Sequence, residues 1–358
     1  MSSSNFEVIL ERFNEAQEEL VLQPADLSLR TIANMVASGA IDLTPNFQRR
    51  ERWQAHQQSA LIESFLLNIP VPPIYLAEDD LGTYAVIDGK QRITAVNAYL
   101  TDDLELRSVG AFPELDGLSF SELPRQIQNA LDLRPLRAVT LLKQSNPDLK
   151  YEVFHRLNSG GEILNPQEIR NVVYRGPLND LIYELAGEEF LRDRLKISSE
   201  KSSAYRNMQD AEYVLRFLTL ASSWRTFSGD LARSMNHFMQ NQRMADEKQL
   251  SGLARSFTRA LRGCESIWGE AAFRRPDGNG WRHQTLAGMY DAQMLAVSEI
   301  SQPVLDALIG KREKVIERTR GLFGDVEFEA AVRQATNTPS RILLRTTRMI
   351  DMLRDVVA

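Results

Sequence analysis

The sequence predicts an α+β chain, with a small α/β domain over residues 1–150 and a mostly helical domain over residues 151–358. Three observations carry this. Short β-type runs, "IYL" (74–76), "TYAVI" (83–87) and "LRAVTLLK" (136–143), fall before residue 150 among segments of helical periodicity. From residue 147 onward, helix follows helix with short turns. The 358 residues exceed one average domain, although no Gly/Ser-rich linker marks the boundary.

The elements run in order along the chain. Residues 6–20 read as an exposed, Glu-rich amphipathic helix. Ser28 is a cap for a short helix through Val36. "TPNFQRRERW" (44–53) is polar, with Phe47 and Trp53 as aromatic anchors. Residues 55–67 place Leu61, Ile62, Phe65 and Leu66 on one helical face. Pro70, Pro72 and Pro73 then fix an extended path into the strand at Ile74–Leu76. A turn at Asp79–Gly82 joins it to "TYAVI" as a hairpin. Residues 93–100 are helical. The stretch 102–131 reads as a short strand and an irregular insertion, followed by a helix from Ser121. "NPDLKYEVFHRLN", "NPQEIRNVVYRG", "PLNDLIYELAG" and "QDAEYVLRFLTLASSW" are helices, and "FRRPDGNGWRH" (273–283) is a turn-rich loop.

Composition is that of an ordinary globular protein, 43% hydrophobic and 25% charged. The net charge of -6 does not announce a nucleic-acid binder, so DNA contact would need a local basic patch. "FRRPDGNGWRH" and "SRILLRTTR" (340–348) are the Arg-rich candidates, although an exposed loop and helix face account for them better. The single cysteine, Cys264, excludes an internal disulfide or a cysteine zinc cluster and fits a reducing cytoplasm. His56, His155, His237 and His283 form no ligand spacing. No export signal and no apolar run long enough for a membrane span are read, so no membrane association is expected.

The most pointed stretch is "YAVIDGKQRITAVNAYL" (84–100), where a strand gives way to a helix across Asp88-Gly89-Lys90-Gln91-Arg92. Gly89 permits a tight turn, and a helix N-terminus favours an anion. Lys90 and Arg92 add positive charge, and Arg forks two phosphate oxygens. Gln91 both donates and accepts, which suits a water or a hydroxyl. Asp88 is a candidate for a metal ion, a ribose hydroxyl or the neighbouring Arg92. A solvated turn with a surface ion pair is the plainer reading of so short a motif. Gln48, Arg49, Arg50 and Arg52 form a second cluster, and Arg156-Leu157-Asn158-Ser159-Gly160-Gly161 a polar loop. Asn165 to Glu168 is explained by helix capping alone.

"FQRRERW", "IPVPPIYL", "VIDGKQRITAV" and "FHRLNSGGEILNPQEIRN", in this order and spacing, resemble the N-terminal domain family of the GmrSD and SspE defence proteins, within the ParB/sulfiredoxin-like superfamily. "NMQDAEYVLRFLTLA" and "FRRPDGNGWRHQTLAGMYDAQMLAV" resemble the helical region of stand-alone members, which extends the likeness from about 25 to 300. The resemblance implies nucleotide binding at the turn, whose family form is D-G-Q-Q-R. Asp88, Gly89, Lys90, Gln91 and Arg92 would then meet the phosphates, faced by Gln48 and Arg49, with Arg156 and Asn158 from the polar loop. Asp88 and Gln91 are the catalytic candidates if a nucleoside triphosphate is hydrolysed, and Asp88 the candidate ligand for an accompanying magnesium ion. Lys90 replaces the family's first glutamine, which puts family-like hydrolysis in question. The base is not read. No His-Asn-His nuclease motif is present, so a separate nuclease subunit is implied as partner, together with DNA and self-association.

Three readings compete. The first is a nucleotide-binding regulatory subunit of a DNA-targeting defence system. The second is a metal-dependent nuclease acting alone, which lacks a second carboxylate at a readable spacing from Asp88. The third is a non-catalytic DNA- or protein-binding module whose turn is structural.

Overall fold

The structure, a computed structural model, describes residues 3–43, 53–79, 82–157 and 165–358. Contacts divide the chain into two units, Met1–Val173 and Tyr174–Ala358. The described part of the first unit runs α1 (Ser3–Glu19), β1 (Leu22–Ser28), α2 (Leu29–Ala37), β2 (Ile41–Asp42), α3 (Ala55–Leu66), β3 (Ile74–Glu78), β4 (Tyr84–Asp88), α4 (Lys90–Leu100), α5 (Arg125–Leu133), β5 (Pro135–Leu141), α6 (Pro147–Leu157) and α7 (Pro166–Val173).

Its described strands form a five-stranded mixed sheet in the order β1-β5-β3-β4-β2. β3 lies at the centre, parallel to β5 and antiparallel to β4, and β2 adds to β4 in parallel. Apolar side chains of α2, α3 and α4 close over the sheet. Leu29, Ile32, Ile62, Phe65, Ile93, Val96 and Tyr99 are buried there with Ile74, Leu76 and Leu136 of the strands. Ser28 starts α2 as expected, its Oγ accepting the Thr31 N–H at 3.1 Å.

The structure corrects the sequence reading at three places in this unit. β1 was not expected, because "LQPADLS" lacks alternation and contains Pro24. It is an edge strand pairing along its length with β5, and an edge tolerates both features. The strand expected after Asp102 does not form. Leu104, Leu106 and Val109 are buried at near-alternate positions, but the backbone bonds elsewhere. Leu106 pairs with Gly117 and Leu118, Arg107 N–H donates to Ser59 Oγ, and Ser108 N–H donates to Asp116 Oδ1. The helix expected from Ser121 starts at Arg125, after a 3₁₀ turn at Phe120–Glu122. Pro124 accounts for the break, since it drives Leu123 into an extended conformation.

The second unit is helical: α8 (Pro177–Ala186), α9 (Glu189–Arg194), α10 (Ser203–Arg206), α11 (Gln209–Ser223), α12 (Leu231–Gln242), α13 (Glu247–Trp268), α14 (Ala287–Glu299), α15 (Gln302–Gly310), α16 (Arg312–Leu322), α17 (Val326–Arg333) and α18 (Pro339–Val357). Helix α14 is buried all round from Gly288 to Val297 and packs against α11, α13, α17 and α18. The turn-rich loop contains a small hairpin, β6 (Pro276–Asp277) with β7 (Gly280–Trp281). Arg320 stacks on Trp281 and donates to the carbonyls of Gly278, Asn279 and Gly280.

Asp291 is the buried charge of α14. Its carboxylate accepts from Arg216 Nε and Nη2, both at 2.6 Å, and from Arg345 Nη2. Arg345 also donates to the carbonyls of Ala331 and Thr336, which spreads the excess positive charge. Burial opposes the charge on Arg216, but Asp291 more than offsets it and holds the pKa up. Burial, aided by Arg216, draws the Arg345 pKa down despite Asp291. Among the described residues, no helix is long and apolar enough to cross a membrane.

Candidate functional site

The β4–α4 turn stands beside the centre of the sheet. Opposite it, Tyr75 pairs with Asp88 while Leu76 pairs with Val86, so β4 carries one extra residue, Ile87, just before its end. Such a bulge bends the strand and re-aims the chain beyond it. Gly89 then adopts φ 96°, ψ 13°, and α4 begins at Lys90. A Cβ at position 89 would lie 2.6 Å from Ile74 Cγ2 and 3.1 Å from Arg92 Nη2. Both the left-handed backbone and the close approach therefore demand glycine.

Arg92 folds back over this turn. Its Nη2 donates to Asp88 Oδ2 at 2.6 Å and to the Pro73 carbonyl at 3.0 Å. The Arg92 side chain is 15% exposed and that of Asp88 41%. Among the described residues, Arg92 Nε is buried without a partner. Gln91 is held from the other side, its Oε1 accepting the Trp53 backbone N–H at 3.2 Å. Lys90 is half-buried on the first turn of α4. Of the alternatives weighed for Asp88, the structure shows the pairing with Arg92.

The other candidates fall in two groups. Arg156 lies on the last turn of α6, exposed and paired through Nε with Glu152 Oε1 at 2.6 Å. Helix α6 runs against β4. Gln48, Arg49 and Asn158 lie outside the described residues, as do Arg50, Arg52 and Ser159 to Gly161. The chain leading to residue 43 is tied down where β2 pairs with β4, and the chain resuming at residue 53 is tied to Gln91. The capping reading of the α7 start is what the structure shows. Asn165 Oδ1 accepts the N–H groups of Gln167 and Glu168, and Glu168 Oε2 accepts the Asn165 N–H.

Sequence reasoning missed the Pro73 carbonyl and the Trp53 N–H as parts of this site. Both are backbone groups, visible only once the chain is folded. The run of prolines before β3 was their one signal, because it fixes the path that brings the Pro73 carbonyl to Arg92.

Residues 29–175 match the family described as GmrSD restriction endonuclease, N-terminal domain. The chain carries a GmrSD-type N-terminal domain. The match opens on the first residue of α2, ends just past α7 and contains the whole Asp88–Arg92 turn. The GmrSD-type domain thus takes in all strands of the mixed sheet except the edge strand β1. The likeness expected to continue to about residue 300 is matched as far as residue 175. No curated protein matches the chain.

Proposed function

We propose that this chain is the nucleotide-responsive regulatory part of a DNA-targeting restriction system, with the β4–α4 turn as the seat of a nucleoside triphosphate's phosphates. The observation that carries this reading is an arginine held over a glycine turn at a helix N-terminus, inside a GmrSD-type domain. Helix α4 directs its N-terminal dipole to that point. Gly89 lets Ile74 and Arg92 close against the turn, and Asp88 with the Pro73 carbonyl fixes the Arg92 guanidinium before any ligand arrives. A guanidinium fixed in advance loses little freedom on binding. Arg92 Nη1 makes no hydrogen bond among the described residues and is the group assigned to a phosphate oxygen, with Lys90 as a second cation.

Asp88 Oδ1, which takes no part in the bond to Arg92, would be the protein oxygen that holds a magnesium ion accompanying the phosphates. When bound, it would neutralise phosphate charge. Gln91 supports a hydrolytic extension of this reading, because the Trp53 N–H fixes its amide plane. An amide held in one orientation is suited to directing a water. Among the described residues, no group of three His, Cys, Asp or Glu side chains gathers as a metal site. The regulatory reading rests on the arginine and helix N-terminus at the turn, and it assigns cutting to a separate nuclease subunit. DNA contact by the two Arg-rich segments has less support, because Arg274 and Arg345 are buried.

Titration calorimetry with each of the four ribonucleoside triphosphates tests the proposal. Arg92→Ala should weaken binding about ten- to a hundredfold, as expected from losing one or two hydrogen bonds to a charged group. Gln91→Ala should slow phosphate release with little change in affinity. Equal affinities of wild type and Arg92→Ala would show the turn to be structural only.

A further inference from the structure

Helices α11, α12 and α13 of the second unit border a cavity of about 620 Å³. Small-molecule sites run from about 300 to about 1,000 Å³. Helix α12 turns one stripe to it: Ser234, His237, Phe238, Asn241 and Gln242, at i, i+3, i+4, i+7 and i+8. Ser222 and Ser223 come from the end of α11, and Gln249 and Gly252 from the first turns of α13. A stripe at this spacing that faces neighbouring helices is ordinarily apolar. Here it is polar, yet no Asp, Glu, Lys or Arg is among the described residues that line the cavity.

Gly252 keeps the space open. Nothing lies within 4 Å of the place where a Cβ would stand at this position. Gly263 of the same helix is different, because a Cβ there would meet Val297 Cγ1 at 2.6 Å. Close packing therefore demands glycine at 263 and not at 252. Glycine in a helix interior is unfavourable relative to alanine. At 252 its effect is to leave the cavity wide.

We infer that this cavity is a binding site for an uncharged nucleobase that carries an exocyclic amino group. The hydrogen bonds within the lining select that class. Ser222 and Ser223 both donate to the Thr219 carbonyl, at 3.0 and 2.8 Å, and Ser234 donates to the Asp230 carbonyl at 2.7 Å. Their protons are spent, so their oxygens are left as acceptors. Asn241 Nδ2 lies 2.9 Å from His237 Nε2, which leaves Asn241 Oδ1 as a further acceptor. Gln249 Oε1 accepts the Asp246 N–H at 3.0 Å, so its Nε2 is a donor held in place. Thr219 also lines the cavity, is 3% exposed, and its Oγ1 is buried without a partner among the described residues. A lining rich in acceptors calls for a ligand with N–H groups. A sugar, whose hydroxyls give and take alike, finds fewer donors here than it needs. The half-buried Phe238 ring supplies the flat apolar surface on which a base stacks. Asn and Gln amides pair with the edge of an amino-bearing base through a donor and an acceptor at once.

Saturation-transfer NMR titrations of the full chain with adenosine, cytidine, inosine and uridine test the inference. These probes lack phosphate, so the turn at Asp88–Arg92 offers its cations nothing to hold. Adenosine or cytidine should bind about tenfold or more tighter than its oxo counterpart, inosine or uridine. Gly252→Leu should abolish this binding and leave the melting temperature equal or higher, since leucine suits a helix better than glycine. Phe238→Leu should weaken it about ten- to a hundredfold through lost stacking. Absence of nucleoside binding would overturn the inference. Equal binding of amino and oxo bases would overturn the assigned ligand class. Binding that survives both Gly252→Leu and Phe238→Leu would overturn the site, because the nucleoside would then be held elsewhere.

Discussion

A methyl group at position 89 would lie 2.6 Å from Ile74 Cγ2, on a backbone with φ 96°. Gly89→Ala therefore meets two penalties at once. The left-handed backbone costs about 1–2 kcal/mol and the overpacking against Ile74 about 1–3 kcal/mol. We expect a loss of about 2–4 kcal/mol in urea unfolding, and an unchanged midpoint would contradict this geometry. At this scale the sequence was partly legible. The need for glycine at a strand-to-helix turn came from "VIDGKQRITAV" alone. That Arg92 turns inward to Asp88 and Pro73, and that Gln91 takes the Trp53 N–H, did not. Those bonds join segments whose proximity is a product of the sheet.

Among the elements, long periodic segments were read well and irregular ones were not. Helix α3 was expected over 55–67 and is found at Ala55–Leu66, with Leu61, Ile62 and Phe65 buried. The β3–β4 hairpin likewise matches the "IYL" and "TYAVI" runs. The failures share a cause: local pattern reports burial, whereas strand identity depends on distant backbone partners. Leu104 to Val109 has buried residues at near-alternate positions without a ladder, and β1 has a ladder without the alternation. Phe65 is 3% exposed at the contact of α3 with the sheet core. Phe65→Ala should remove about 3–5 kcal/mol of stability, measured by chemical denaturation. A loss below about 1 kcal/mol would mean that this helix does not support the core.

For the molecule as a whole, the α+β class was legible from the change of character near residue 147. The buried charges were not. Arg345 lies in "SRILLRTTR", which reads as an exposed basic face, yet it is fully buried against Asp291. Asp291 and Arg216 sit far apart in sequence, and nothing local marks them as partners. Asp291→Asn leaves two guanidiniums facing one another across a neutral amide. It should destabilise the protein by about 3–5 kcal/mol. Glu152→Gln, which breaks the exposed pair with Arg156, should change stability by less than about 1 kcal/mol. Paired denaturation curves of the two variants check the contrast, and equal losses would show that the Asp291 cluster contributes no more than a surface pair.

The buried Cys264 has a consequence of a different kind. Burial pushes its thiol pKa well above the ordinary value and disfavours the thiolate that oxidants and alkylating reagents attack, and it also keeps those reagents from the sulfur. As the only cysteine of the sequence, it leaves the folded chain without an accessible thiol from which a sulfenic acid or a disulfide between copies could start. Any thiol introduced on the surface would then be the single address for a spectroscopic label, with no native cysteine to remove first.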